Sequence, residues 1–127
     1  MYILDVSIIL VNYNTEDLLV NAIKSVYEHS KDFTFEIIVV DNHSMNGLKE
    51  RLNTEFGQRV IYIPMDENVG FGRANNAGIK IANGKYLFLL NTDTYLLNNA
   101  IFILKKYMDV HADVGSCGGN LFSADLK

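Results

Sequence analysis

Val6-Ser7-Ile8-Ile9-Leu10-Val11-Asn12-Tyr13-Asn14 is a short run of β-branched and other apolar residues that ends abruptly in amides. Its apolar positions are nearly continuous rather than alternating, which suits a strand buried on both faces. Helical spacing then takes over. Thr15 is placed to cap a helix, Glu16 and Asp17 fall in its first turn, and Leu18, Leu19, Ala22, Ile23 and Val26 form one apolar face up to about Tyr27.

The alternation recurs down the chain. Phe35-Glu36-Ile37-Ile38-Val39-Val40 reads as a second buried strand ending at Asp41, followed by a weaker helix from Ser44 to Asn53 with Leu48 and Leu52 inward. Val60-Ile61-Tyr62-Ile63 is a third strand, and Gly70 to Ala82 a helix with small residues at Gly70, Ala74 and Gly78. Tyr86-Leu87-Phe88-Leu89-Leu90 is a fourth strand, and Leu96 to Asp109 a last helix with Leu97, Ile101, Leu104 and Met108 on one face. A fifth strand is expected to begin at Val114, and Asn120 to Lys127 has no period. Strand, helix, strand, helix in units of about 25–30 residues is the βαβ signature, and right-handed crossovers make it a doubly wound, mostly parallel sheet with helices on both faces.

Composition narrows the function. The 127 residues are 49% hydrophobic and 20% charged, an ordinary single-domain balance. The net charge is −4 without any Lys/Arg run, which argues against duplex nucleic acid as a partner. The single cysteine, Cys117, allows no internal disulfide or cysteine zinc cluster and is expected to be an inert buried thiol in a reducing compartment. No apolar run approaches the roughly 20 residues of a membrane span. His29 and His111 read as solvated helix-end histidines.

The polar clusters fall where chemistry is expected. Asn12-Tyr13-Asn14, Asp41-Asn42-His43-Ser44, Asp66-Glu67-Asn68 and Asn91-Thr92-Asp93-Thr94 each follow a strand. Open α/β sheets bind ligands at the carboxyl ends of their strands, so the clusters describe one composite pocket, with His43 inside it. Gly70-Phe71-Gly72-Arg73-Ala74-Asn75 lacks the third glycine of the dinucleotide fingerprint and follows the third strand rather than the first. Its glycines still suit an anion at a helix N-terminus, with Arg73 adding positive charge, whereas Gly78 and Ala74 suit close helix–sheet packing. Asp93 is a candidate ligand for a hard cation bridged to phosphates, with Asn91 adding a neutral oxygen. There is no P-loop and no serine-hydrolase elbow.

These segments also resemble a known family. Val6 to Asn14 resembles the opening strand and turn of family-2 inverting glycosyltransferases, and Ile37 to Ser44 is similar to their second strand with its nucleotide-contacting aspartate. Asn68-Val69-Gly70-Phe71-Gly72-Arg73-Ala74-Asn75-Asn76-Ala77-Gly78 is similar to the Asn-x-Gly-Phe-x-x-Ala-x-Asn-x-Gly element of their rhamnosyltransferase-like branch. Leu89-Leu90-Asn91-Thr92-Asp93-Thr94 resembles the Asp-x-Asp-type metal element. The resemblance implies a Rossmann-like GT-A fold and a nucleoside-diphosphate sugar donor, a dTDP- or UDP-sugar, with Mg²⁺ or Mn²⁺ as cofactor. Asn12, Tyr13 and Asn14 would lie along the base and ribose, with Tyr13 against the base. Asp41 would accept from the pyrimidine ring N–H, with Asn42 beside it. Arg73 and Asn76 would lie near the nucleotide or diphosphate, and Asp93 with Asn91 would hold the metal.

Departures from the pattern matter as well. Asn91 replaces the first acid of the metal element, Thr92 stands where that branch often has proline, and Asn46 stands where the second loop often carries an aspartate. The general base of the family lies well downstream of the metal element, and Asp109, Asp113 and Asp125 do not match its motif. The expectation is therefore a single donor-binding domain over residues 1–127, a fragment of a longer transferase. Alone it would bind donor weakly and transfer little, and it would expose apolar surface that favours a homodimer. The full protein would act on a glycan or lipid-linked acceptor in cell-envelope polysaccharide synthesis, in the cytoplasm or at the inner face of the membrane. The alternatives are a non-catalytic nucleotide-sugar-binding or interaction domain, and a nucleotidylyltransferase, whose glycine-rich loop after the first strand is missing here.

Overall fold

The computed structural model describes residues 3–44 and 47–123; Asn46 and Asp125 lie outside them. The chain runs β1 (Leu4–Asn12), α1 (Glu16–His29), β2 (Phe35–Asp41), α2 (Leu48–Phe56), a 3₁₀ turn (Gly57–Arg59), β3 (Val60–Pro64), α3 (Phe71–Ile81), β4 (Gly84–Leu89) and α4 (Ala100–Val110). The four strands form one sheet in the order β3-β2-β1-β4, and every pair is parallel. This is the expected α/β architecture. Successive crossovers carry the chain outward from β1 to β2 and β3, then back past β1 to β4, so the order reverses between β1 and β4.

Strand alternation divides the core in two. Ile8, Leu10, Ile37 and Val39 face α1, α2 and α4, where Leu19, Ile23, Val26, Leu52, Phe56 and Ile101 complete a buried cluster. Ile9, Ile38 and Val40 face α3 and meet Ala74. The close approach on that side depends on Gly78: a Cβ there would lie 2.9 Å from Ile9 Cγ2 and 3.2 Å from Val40 Cγ2. Small residues at four-residue spacing thus serve helix–sheet packing, as expected for Gly78 and Ala74. Gly70 differs, because it precedes α3 at φ 88°, a conformation that favours glycine.

Polar side chains fix the start of β4. Ser7 Oγ donates to Glu36 Oε2 at 2.5 Å and accepts from Gly84 N at 2.8 Å, while Asn83 N donates to the same Glu36 oxygen at 2.7 Å. A Cβ on Gly84 would sit 2.4 Å from Ser7 N, so only glycine fits that pairing. At the other end of the strand Leu87 and Leu89 stay about half exposed, on the face that α3 covers only over β1 and β2.

Several element boundaries move from those expected. The helix expected from Ser44 begins at Leu48, because Ser44 Oγ is engaged by Asn14 N at 2.8 Å and by Asn12 Nδ2 at 3.2 Å. The helix expected from Leu96 begins at Ala100. Leu96 N donates instead to the buried Ser25 Oγ at 2.9 Å, and the Asn99 side chain brackets Lys31, accepting from its N and donating to its O. Leu97 is therefore outside α4 and half exposed. No strand forms at Val114 among the described residues; its N–H closes a turn onto His111 O. Cys117 is exposed, which corrects its reading as a buried thiol: among the described residues no strand or helix follows α4 to cover the segment that carries it. Among the described residues no helix is long and apolar enough to cross a membrane.

Candidate functional site

The carboxyl ends of β1, β2 and β4 are tied together by one buried side chain. Asn12 closes β1 with no exposure. Its Oδ1 accepts from Thr15 N and, at 2.8 Å, from Thr15 Oγ1, so Thr15 holds the expected N-cap position of α1 but spends its hydroxyl on Asn12 instead of on the helix. Its Nδ2 lies 3.2–3.3 Å from Glu16 Oε1, Asp41 Oδ1 and Ser44 Oγ. The Thr15 proton is committed to Asn12, so the 3.1 Å contact between Thr15 Oγ1 and Thr92 Oγ1 has Thr92 as donor. The loops after β1 and β4, 77 residues apart in sequence, are latched by that relay.

Asp41 is buried below the surface of the site, with Oδ1 facing Asn12 Nδ2 and Oδ2 accepting from Tyr62 Oη at 3.3 Å. Burial, followed by the adjacent Asp41 charge and hydrogen bond, raises the Tyr62 phenol above its ordinary pKa. Asn42, next in the chain, turns the other way. Its N–H donates to Asn12 O, its Oδ1 accepts from Val69 N at 2.9 Å, and it forms part of the site wall. Asn14 and His43 both hold left-handed backbone, φ 56° and 71°, so each of these loops turns sharply just beyond its strand.

These loops and the start of α3 enclose an open cavity of about 650 Å³, lined by Tyr13, Thr15, Asn42, Phe71, Asn91 and Asp93 together with Val11, Leu18, Asn68, Gly70 and Thr92. It lies at the reversal of strand order, where open α/β sheets bind ligands. The Tyr13 and Phe71 rings are exposed to it, at 49% and 57%. Asp93 is exposed and makes no hydrogen bond or ion pair among the described residues. Asn91 O accepts from Thr94 N and Oγ1, shaping the turn that presents Asp93. A second groove of about 440 Å³ is lined by Asn21, Lys24, Ser25, Glu28 and His29 of α1 and by Tyr95, Leu96 and Leu97; there Ser25 Oγ donates to Ala22 O and accepts from Leu96 N.

Of the residues singled out in the sequence, Tyr13, Asn42, Asn91 and Asp93 meet in the cavity. Asn12 and Asp41 support it from beneath. Asn14 is exposed at its edge, where its N–H binds Ser44 Oγ. Arg73 and Asn76 are exposed on the first turns of α3, outside the lining. His43 is exposed with Nδ1 3.4 Å from Met65 O, also outside the lining. Phe71, Thr15 and Leu18 line the cavity without having been singled out as ligand-contacting. For Phe71 a signal existed: a large aromatic flanked by two glycines at a helix start has little of its own element to pack against.

The donor set suits a particular kind of cation. Among the described residues no three His, Cys, Asp or Glu side chains converge on one point, so a metal held by protein alone has no seat. One free carboxylate with an amide oxygen nearby does fit a divalent ion that completes its shell with substrate phosphates and water.

The glycosyl transferase family 2 model matches residues 7–124. The chain belongs to that family. It is 35% identical over 114 residues to an uncharacterized glycosyltransferase of Methanocaldococcus jannaschii, covering 86% of this chain and 39% of the relative. It is 30% identical over 96 residues to the Escherichia coli UDP-Glc:alpha-D-GlcNAc-diphosphoundecaprenol beta-1,3-glucosyltransferase WfaP, covering 76% of this chain and 38% of that one. The family 2 domain thus spans about two fifths of the length of these curated relatives. Its fold matches the mannosyltransferase PcManGT of Pyrobaculum calidifontis, solved with GDP-Man and Mn²⁺, with a TM-score of 0.73 at 20% identity, over 85% of this chain and 33% of that one.

Proposed function

We propose that this family 2 domain captures the nucleoside-diphosphate sugar donor of an inverting glycosyl transfer, in the cavity at the carboxyl edge of the sheet. One observation carries the reading: a free carboxylate, Asp93, shares a cavity at the strand-order reversal with two exposed aromatic rings, Tyr13 and Phe71. The rings offer flat apolar faces to a base, and the carboxylate faces the place where a cation-bound diphosphate belongs. Asp93 and Asn91 would hold Mg²⁺ or Mn²⁺, which when bound offsets the charge that develops on the departing nucleoside diphosphate. Asn12 and Thr92 act on the loops themselves, keeping the Tyr13 turn and the Asp93 turn at a constant separation. Arg73 and Asn76, on the first turns of α3, would contact only a donor that extends beyond the cavity. The acceptor is a glycan or a lipid-linked sugar, by analogy with the E. coli relative. The Asn68–Gly78 element supports a rhamnosyl-type deoxysugar on thymidine diphosphate within cell-envelope polysaccharide synthesis.

Calorimetric titration of the domain with UDP and dTDP, with and without Mn²⁺, tests this. Binding is expected to strengthen with Mn²⁺. Asp93→Ala should remove that gain, weakening the Mn²⁺-dependent affinity by roughly tenfold or more, the worth of one charge-assisted contact. Failure of both diphosphates to bind with Mn²⁺ present, or an unchanged Mn²⁺ gain in a folded Asp93→Ala variant, overturns the reading.

A further inference from the structure

The groove beside α1 shares both of its borders with the donor cavity. On α1, Leu18 lines the cavity, while Asn21, Ser25 and Glu28 follow it at helical spacing on the same face and line the groove. On the loop after β4, Asp93 lines the cavity, and Tyr95 and Leu97 line the groove. Tyr95 stands two residues after Asp93, at most about 7 Å of chain. The helix runs back from the carboxyl edge of the sheet, so the groove leads away from the Asp93 turn, and Asn21 to His29 gives it a length of about 12 Å. Its floor is fixed: Leu96 N donates to the buried Ser25 Oγ at 2.9 Å, and that hydroxyl donates to Ala22 O at 2.7 Å. Its walls are unspent. Among the described residues the side chains of Asn21, Glu28 and Tyr95 make no hydrogen bond or ion pair. Lys24 is paired with Glu55 at 3.4 Å.

We propose that this groove holds the glycan chain of the acceptor, seating the sugars behind the one that reacts. A pyranose presents a flat C–H face and a rim of hydroxyls that both donate and accept. Tyr95, 58% exposed, offers the matching flat apolar face, and the half-exposed Leu97 extends it. Asn21 offers both hydrogen-bonding senses, and the Glu28 carboxylate accepts. The charges argue against a phosphate or a nucleotide, because Lys24 is already neutralised by Glu55 and Glu28 is an unpaired anion. A length of about 12 Å suits a short oligosaccharide rather than one sugar. Its near end opens beside the loop that presents Asp93. The proposal rests on the donor-binding reading: the shared loop puts a bound glycan next to the diphosphate only if that diphosphate sits at Asp93. It adds a second ligand to the first, held on side chains outside the cavity lining.

The test applies the domain to an array of immobilised neutral mono- to hexasaccharides and maps the strongest binder by NMR titration of the backbone amides. Binding is expected to need more than one sugar, a tetrasaccharide holding at least about tenfold more tightly than its monosaccharide. The shifted amides should centre on residues 21–29 and 95–97. Tyr95→Ala should weaken glycan binding by about tenfold, whereas Tyr95→Phe, which keeps the ring, should weaken it by less than about threefold. Mn²⁺-dependent UDP affinity should be the same in both variants. An array on which no glycan is bound overturns the proposal. So do shifts centred elsewhere, and so does a folded Tyr95→Ala variant that binds glycan as the wild type does. If that variant does not melt cooperatively, the shift map decides alone. Intact UDP and Mn²⁺ binding with no glycan bound removes only the groove's role. Glycan bound in the groove with no UDP binding removes the donor reading, and the acceptor role with it.

Discussion

Asn12 touches no ligand-facing surface, yet its one amide serves Thr15, Glu16, Asp41 and Ser44. Asn12→Ala strips acceptors and donors from a fully enclosed place, leaving Asp41 Oδ1 and the Thr15 N–H without their partner. Urea denaturation should show a loss of about 1–3 kcal/mol. UDP affinity should fall in the same variant, because the Tyr13 and Asp93 turns lose their common anchor. The sequence places polar residues at the end of each strand, and to that extent the site was legible. It does not say which of two neighbours faces the ligand. Asp41 and Asn42 are adjacent, so one turns inward and the other lines the cavity, and the outcome is decided by Tyr62 and Val69, which come from elsewhere in the fold. The more chemically expressive residue of the pair, the acid, is the one beneath the surface.

At the scale of elements, α3 is set on the sheet by Gly78. Alanine gains up to about 1 kcal/mol of helix propensity over glycine, but the added methyl would press on Ile9 and Val40, and overpacking a tight core costs about 1–3 kcal/mol. Gly78→Ala is expected to lower thermal stability, whereas Gly72→Ala on the same helix, where an added Cβ meets nothing within 4 Å, should leave it level or raise it. Besides the apolar packing of Ile101, α4 is tied to β4 by polar contacts. Asp109 accepts from Lys105 Nζ and Tyr86 Oη, both at 2.7 Å, and pairs with Lys85 Nζ at 3.5 Å. The Lys105 and Tyr86 hydrogen bonds hold its carboxyl down to about 2. A carboxylate lowered on folding stabilises above its unfolded pKa, near 4, and that contribution fades as pH falls toward 2. Asp109→Asn should therefore flatten the acid limb of a stability-versus-pH curve below about pH 4 and cost less than about 1 kcal/mol at neutrality, since solvent screens the exposed pair. Strands were legible to within a residue or two, because continuous apolar runs have few other uses. The starts of α1 and α3 were legible too, at Thr15 and Gly70, but those expected at Ser44 and Leu96 were not, because tertiary partners, Asn14 and Ser25, claim their polar groups first.

For the whole molecule, the βαβ rhythm with right-handed crossovers was enough to foresee a parallel sheet with helices on both faces and a pocket at one edge. The position of β4 beside β1 could not be read from any local pattern. It depends on Gly84 passing close to Ser7, a contact visible only once both strands are in place. The family model and the related folds agree with that architecture over most of this chain.

That same juxtaposition imposes an order in time. The half of the site made by the loops after β1 and β2 is joined by contacts 29 residues apart, Asn12 to Asp41. The half bearing Asp93 joins it only through contacts 77 residues apart, Thr15 to Thr92 and Ser7 to Gly84. Ring closure over the longer span is the slower and entropically costlier step. On the proposed function, the side that would face the base forms first and the side that would face the diphosphate only once β4 docks, so affinity for the whole donor would report that β4 has paired with β1.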